Sequence, residues 1–298
     1  MILVTAGYGN QGRKIIPRLA KAGARVRGLR RTPGGEAELI ALGAAEVMIG
    51  DASDPATLAR AMEGVEAVYH IGPSAHPKER EMGLAAIDAA LAAGVKHFVF
   101  SSVLHAIVSD LIQHEVKRDI EEKLVGSGLN FTILQPADYM QVLRYARAFD
   151  TGEFVLAWSL DRRQSVVDVS DIAEVAARVL LEGAPHYGAT YELSAPGCFT
   201  GYEIGEIIAK VTGRPIRAIE TTPEARMTDH FKGKLADGAD YPLRVFQALR
   251  KWYSAHDFVG NPNVLTMLLG RPPTTLEEFI RAEYALKQMP SGTASGID

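Results

Sequence analysis

Cysteine is nearly absent from the sequence. Its 298 residues hold one, Cys198, which excludes an internal disulfide and a zinc site built from cysteines. With no histidine near it in sequence, Cys198 reads as a small apolar residue rather than a nucleophile. A basic stripe is also missing. Lys and Arg are spread along a chain of net charge −4, which argues against a nucleic-acid backbone as partner. No uninterrupted apolar run reaches the roughly 18 residues of a membrane span. Met1–Thr5 already reads as a strand. No charged region, apolar stretch and cleavage site precede it, so no secretory signal is expected and a cytoplasmic protein is. No His/Asp/Glu cluster has metal-ligand spacing, and no metal is expected. Internal repeats and low-complexity linkers are lacking too. What remains is a 47% hydrophobic composition, enough for a large core without disulfide or metal staples.

The first 135 or so residues alternate β-branched runs with helical patterns. Strands are predicted at Ile2–Thr5, Arg25–Leu29, Glu46–Ile49, Ala67–Ile71, His97–Ser101 and Phe131–Leu134. Helices are predicted at Gln11–Ala22, Gly35–Leu42, Pro55–Met62, Glu79–Ala93 and Leu111–Val125. Such alternation implies parallel strands and right-handed crossovers, hence an α/β, doubly wound Rossmann sheet. Residues 1–136 are expected to form this core, with the chain returning to it near 165–193. Residues 137–298 then supply a smaller, mainly helical, substrate-binding part with a loose tail from Pro290. Within that part the sequence suggests a helix over Asp138–Phe149 and a strand pair at Phe154–Trp158 and Ser165–Asp168. A helix at Asp171–Leu181 capped by Asp171, a strand at Thr190–Leu193, and helices at Tyr202–Thr212, Pro223–Ala236, Tyr241–Ala255 and Thr275–Lys287 follow.

Gly7-Tyr8-Gly9-Asn10-Gln11-Gly12 forms G-x-G-x-x-G between the first strand and the first helix. That context suits a dinucleotide. Gly7 permits the tight turn, Gly9 lets backbone approach a pyrophosphate, and Gly12 lets the helix lie close to the strand. The helix N-terminus offers free N–H groups to the phosphates. An acid usually follows the second strand to hold the ribose hydroxyls of NAD. None occurs between Arg25 and Gly35, where Arg30, Arg31 and Thr32 stand instead. Guanidinium groups suit a 2′-phosphate, so NADP is expected, NADPH being preferred over NADH, with Arg31 as the first contact. Asp51 either accepts from the adenine or opens the turn before Asp54-Pro55. Ile71, Gly72 and Pro73 end the fourth strand, where the nicotinamide half should lie.

Together these stretches resemble the NmrA-like group of atypical short-chain dehydrogenases. The resemblance rests on residues 4–12, 50–68, Phe98–Val103, Phe131–Pro136, Val167–Ala173 and Leu269–Pro273, with Ala6 standing where that group often has its first glycine. It implies either an NADPH-dependent reductase of aromatic or quinone-type molecules or a non-catalytic NADP(H) sensor acting through a protein partner. It also implies that Lys117 occupies the position of the catalytic lysine, while the residue four before it is Gln113 instead of tyrosine. Lys117 and His114 are therefore the catalytic candidates, on one helix face. Ser101 and Pro136 are expected against the cofactor together with Lys117. Ser102, His105, Tyr139, Met140 and Trp158 are expected against the substrate, with His230, Phe231, Trp252 and Tyr253 as further aromatic wall. Without a phenol as acid, acceptors that delocalise the incoming charge, such as quinones, triarylmethyl cations and conjugated alkenes, are favoured over simple ketones. Homo-oligomerisation is left open.

Overall fold

The computed structural model describes residues 1–143, 145–225 and 240–289. The predicted helix at Pro223–Ala236 lies largely outside these residues, as do His230, Phe231 and the tail from Pro290.

Strands and helices alternate from the start: β1 (Ile2–Val4), α1 (Gly12–Lys21), β2 (Val26–Arg30), α2 (Glu36–Ala41), β3 (Glu46–Ile49), α3 (Pro55–Met62), β4 (Ala67–Ile71), α4 (Glu79–Ala92), β5 (His97–Ser101), α5 (Ile112–Val125) and β6 (Phe131–Pro136). The remaining described elements are β7 (Asp138–Tyr139), α6 (Tyr145–Thr151), β8 (Glu153–Leu156), β9 (Val166–Val167), α7 (Val169–Glu182), β10 (Ala189–Leu193), α8 (Gly201–Thr212), β11 (Arg217–Glu220), α9 (Asp240–Ala255), α10 (Asn263–Leu269) and α11 (Leu276–Gln288), with short 3₁₀ turns at Met140–Leu143 and Ala184–His186.

Seven strands form one sheet in the order β10-β6-β5-β4-β1-β2-β3, and every pairing in it is parallel. The expected Rossmann-type α/β fold is what the chain adopts. Burial on both faces explains why its central strands β1, β4 and β5 are near-continuous apolar runs. Successive side chains face opposite layers. Ile2, Val4 and Val99 join a core with Ile15, Ile16 and Leu19 of α1 and Ile172, Ala176 and Val179 of α7. Leu3, Phe98 and Phe100 join another with Leu58 of α3, Ile87 of α4 and Ile120 of α5. A third core, with Met140, Tyr145, Phe154, Ile204, Leu276 and Phe279, belongs to the later elements. The sheet order reverses between β1 and β4, so a crevice opens at the C-terminal ends of these strands. Among the described residues no helix is long and apolar enough to cross a membrane.

Three local expectations are corrected. The segment at Asp138–Phe149 is a two-residue strand, a 3₁₀ turn and a short helix, because the backbone of Asp138 and Tyr139 pairs with Val166 and Val167. The two predicted strands near 154 and 166 do not pair with each other: β8 pairs with β11. Asp168, not Asp171, caps α7 by accepting from Ser170 N. Asp171 instead accepts from Thr274 N at 2.7 Å and pairs with Arg271 at 2.7 Å, tying the approach to α11 onto α7.

Candidate cofactor and active site

The glycine-rich turn is built by close backbone contact rather than by unusual dihedrals. Its three glycines have no positive φ. A Cβ on Gly12 would lie 2.2 Å from Ala6 O and 2.5 Å from Gly7 O, so α1 can start here only with glycine. A Cβ on Gly7 would approach Gly28 Cα of β2 to 3.0 Å, and Gly7 N–H donates to Leu29 O at 2.9 Å. At Gly9 the nearest protein atom to an added Cβ is Ala6 O at 3.3 Å. That contact is tight but far less close than the one at Gly12, and the outer side of Gly9 faces a cleft.

Gly9 borders a cleft of about 320 Å³ lined by Thr5, Ala6 and Tyr8 after β1, Leu29–Thr32 at the end of β2, and Gly50–Ala52 after β3. His70, Ile71 and Pro73 at the end of β4 and Met82 of α4 complete its wall. The volume is at the small end of the usual ligand range. A more open hollow of about 570 Å³ lies elsewhere, between Ser159, Glu220 and Arg250. It carries neither the glycine turn nor strand C-termini of the main sheet, and the smaller cleft is the chemically relevant one.

Arg30 and Arg31 both line the cleft. Arg30 lies over the Tyr8 ring, Cζ to centroid 4.5 Å, with only 10% of its side chain exposed. Its Nε and Nη1 are buried without hydrogen-bond partners, an arrangement that a bound anion would relieve. Glu36 is 3.8 Å from Arg30 Nη1. Tyr8 OH donates to Glu38 at 2.6 Å, and Arg13 pairs with Glu38 at 2.5 Å. Arg31 is exposed. Asp51 accepts from Ser53 N at 2.8 Å, and that bond holds its carboxyl below the usual range. Asn10 is exposed. Cradle and guanidinium fit a dinucleotide: the turn and α1 N-terminus would hold the pyrophosphate, and Arg30, whose Nε lacks a hydrogen-bond partner, would with Arg31 face an anionic group.

A buried polar group adjoins the cleft, where Ile71 of its wall pairs with Ser101 of β5. Gln11 is buried, and its side chain turns inward from the glycine motif. Its Nε2 donates to Ser101 Oγ at 2.9 Å and to Tyr139 OH at 2.5 Å, while Tyr69 OH donates to its Oε1. Burial pushes the Tyr139 phenol up to about 12, so it stays protonated at neutral pH. His70 lies beside Thr5, Nδ1 to Oγ1 3.2 Å. Burial and, secondarily, Lys117 push its imidazole down to about 3, and it stays neutral. Lys117 Nζ donates to Ser101 O at 3.2 Å and lies 2.8 Å from Glu79 Oε1. A Cβ on Gly72 would lie 3.2 Å from Lys117 Nζ and 2.7 Å from Glu79 Oε1; the missing side chain makes room for this pair.

Thus Gln11, Ser101, Tyr139, Lys117 and Gly72 come together, and the structure adds Tyr69, His70 and Glu79, which sequence reasoning passed over. The other candidates lie elsewhere. His114 is wholly buried. Its Nδ1 is 3.0 Å from His105 O, and its ring stands edge-on to Phe258 with centroids 5.9 Å apart. Burial pushes its imidazole down to about 4. It shares a helix with Lys117 but makes no bond to it. Ser102 Oγ donates to Glu121, which also accepts from Gln135 Nε2 at 2.9 Å. His105 Nε2 is 2.8 Å from Val259 O. Pro136 ends β6 and accepts from Leu104 N at 2.8 Å. Met140 is in the third core. Trp158 packs edge-on against Tyr253 at 5.3 Å, and Trp252 against Phe258 at 6.0 Å. Among the described residues no three His, Cys, Asp or Glu side chains converge as a metal site.

The chain is 30% identical over 295 residues to an NAD(P)H azoreductase of Xenophilus azovorans, covering 96% of this chain and 98% of that protein. The NADPH complex of the Escherichia coli quinone oxidoreductase QOR2 superposes with a TM-score of 0.79 at 26% identity, covering 95% of this chain and all of that one. The negative transcriptional regulator NmrA, in complex with NAD, shares the fold with a TM-score of 0.79 at 16% identity over 96% of each chain. The NmrA-like family model matches residues 1–280, and the chain belongs to the NmrA-like family.

Proposed function

We propose that the protein is an NADPH-dependent reductase that passes hydride to a small aromatic, quinone-like or conjugated electrophile. One observation carries the reading. One cleft joins the glycine turn and the Arg30 side chain, whose Nε is buried without a hydrogen-bond partner, to His70 and Ile71 at the end of β4, and Ile71 pairs with Ser101 of β5. The relatives named for azo and quinone reduction with nicotinamide cofactors support it.

The bound nicotinamide would supply the hydride. The chain's own residues bind, orient and handle protons. The α1 N-terminus and Gly9 take the pyrophosphate. Arg30 and Arg31 select a 2′-phosphate through charge-assisted hydrogen bonds. Ile71, Pro73 and Met82, apolar residues of the cleft wall, would face the nicotinamide half. Lys117 presents an ammonium at the end of β5. Gln113, on the helix position four before it, brings no phenol. Tyr139 and Ser101 are hydroxyls nearby, both engaged by Gln11. An acceptor whose product charge is delocalised requires less proton donation during transfer than a ketone does, which fits this set of groups.

The test is NADPH consumption by the purified protein with 1,4-naphthoquinone, an azo dye, a triarylmethyl dye and cinnamaldehyde. Turnover with at least one is expected. Tight NADPH binding with no turnover on any of them would overturn the enzyme reading in favour of a dinucleotide sensor.

A further inference from the structure

Glu79 opens α4, and 2% of its side chain is exposed. Its Oε1 lies 2.8 Å from Lys117 Nζ, close enough for an ion pair, although the angle is not that of a directed hydrogen bond. Other charges nearby are already occupied. Glu121, one turn beyond Lys117, accepts from Ser102 and Gln135. Arg80 pairs with Asp119 at 2.8 Å. His70 is neutral. Among the described residues, Glu79 has Lys117 as its ion-pair partner.

Stability alone gives little reason for such a pair, because a buried ion pair is often no better than apolar side chains of similar volume. As placed, this pair fills the space that a Cβ on residue 72 would enter, Gly72 lying in sequence between the cleft residues Ile71 and Pro73. An ammonium has three N–H groups. One donates to Ser101 O and one faces Glu79, while the Phe100 ring lies under the nitrogen at 5.1 Å. The third has no protein acceptor among the described residues. Glu79 is one of the residues that tie α4 to α5, together with Arg80 on Asp119 and Asp88 on Lys123. We propose that Glu79 is a positioning residue that aims the Lys117 ammonium, so that its remaining N–H meets the bound cofactor or the electrophile. The proposal rests on the reading of Lys117 as a group that serves hydride transfer.

The experiment is a double-mutant cycle with Glu79→Gln, Lys117→Met and the pair combined, alongside Glu79→Asp. Each protein is assayed for apo unfolding, for NADPH affinity by fluorescence, and for single-turnover NADPH oxidation with 1,4-naphthoquinone. Glu79→Gln is expected to slow oxidation about tenfold or more. In the Lys117→Met background the same change should alter the rate by less than about twofold, since a group acting through another has nothing left to act on. Glu79→Asp should fall between wild type and Glu79→Gln. Additive losses, or a wild-type rate in folded Glu79→Gln, would overturn the proposal. A wild-type rate in Lys117→Met would instead overturn the reading of Lys117 on which it rests. If the wild-type protein turns over nothing, NADPH affinity decides: coupled weakening by the two single changes supports positioning, and unchanged affinity in both refutes it.

Discussion

Replacing Lys117 by Met removes one half of a buried ion pair and leaves the other half stranded. Glu79 keeps 2% of its side chain exposed and Lys117 10%, so water cannot readily take over the lost contact. Removing one partner of a buried pair costs about 3–5 kcal/mol. The small remaining exposure of Lys117 places the expected loss near the lower end, about 3 kcal/mol. Adding Glu79→Gln removes the second charge and leaves an amide to be satisfied, a penalty of about 1–3 kcal/mol for a buried polar group. The double variant is therefore expected to be more stable than Lys117→Met alone. Urea unfolding of the apo proteins measures this, provided the m-values agree. A Lys117→Met protein within about 0.5 kcal/mol of wild type, the range of ordinary surface changes, would refute the buried pair. The same measurement guards the kinetics, because a slow Lys117→Met protein is informative about chemistry only if it is folded at the assay temperature.

Other outcomes follow from the geometry. Gly9→Ala should fold normally and lose NADPH binding, whereas Gly12→Ala should lose stability as well, since its Cβ would lie 2.2 Å from a backbone oxygen; equal behaviour of the two in binding and thermal melts would contradict the turn. Arg30→Ala and Arg31→Asp should each weaken NADPH far more than NADH, by roughly 1.5–3 kcal/mol for a charge-assisted contact, and equal weakening in parallel titrations would remove that arginine from the 2′-phosphate. His114, held down to about 4 by burial, takes up a proton on unfolding below about pH 6.5. It therefore lowers stability as pH falls from about 6.5 towards 4, by up to about 1.4 kcal/mol per pH unit. Above pH 6.5 it contributes no pH dependence. His114→Phe should lose that component between pH 7 and pH 5, and an unchanged pH dependence would show that the histidine is not buried neutral.

The parts of the fold that the sequence reveals are those set by local pattern. The predicted bounds of β3, α3, β4 and β5 coincide with the observed ones, because each is a short apolar run or a capped helix bounded by turn residues. Asp138–Phe149 misleads because its apolar spacing resembles a helix, while the pairing of Asp138 with Val166 is set by a segment 28 residues away. The same holds for β8, whose partner β11 is more than 60 residues on. At the site, the glycine motif and Lys117 are recognisable from residue type and spacing. Sequence alone does not say which of two adjacent arginines folds back over Tyr8, as Arg30 does. Glu79 does not stand out in the sequence, because an acid in the first turn of a helix has an ordinary explanation in the helix dipole. Only the packing of α4 against α5 brings it to Lys117.

Hydride transfer is tested most directly by single-turnover oxidation of NADPH carrying deuterium at both C4 positions of the nicotinamide, followed with 1,4-naphthoquinone, an azo dye and a triarylmethyl cation. The expected result is NADPH oxidation with at least one acceptor, slowed by deuteration, and with the triarylmethyl cation deuterium retained on the central carbon of any reduced product. Stoichiometric NADPH binding with no oxidation by any acceptor, or oxidation insensitive to deuterium with no label in that product, would contradict it.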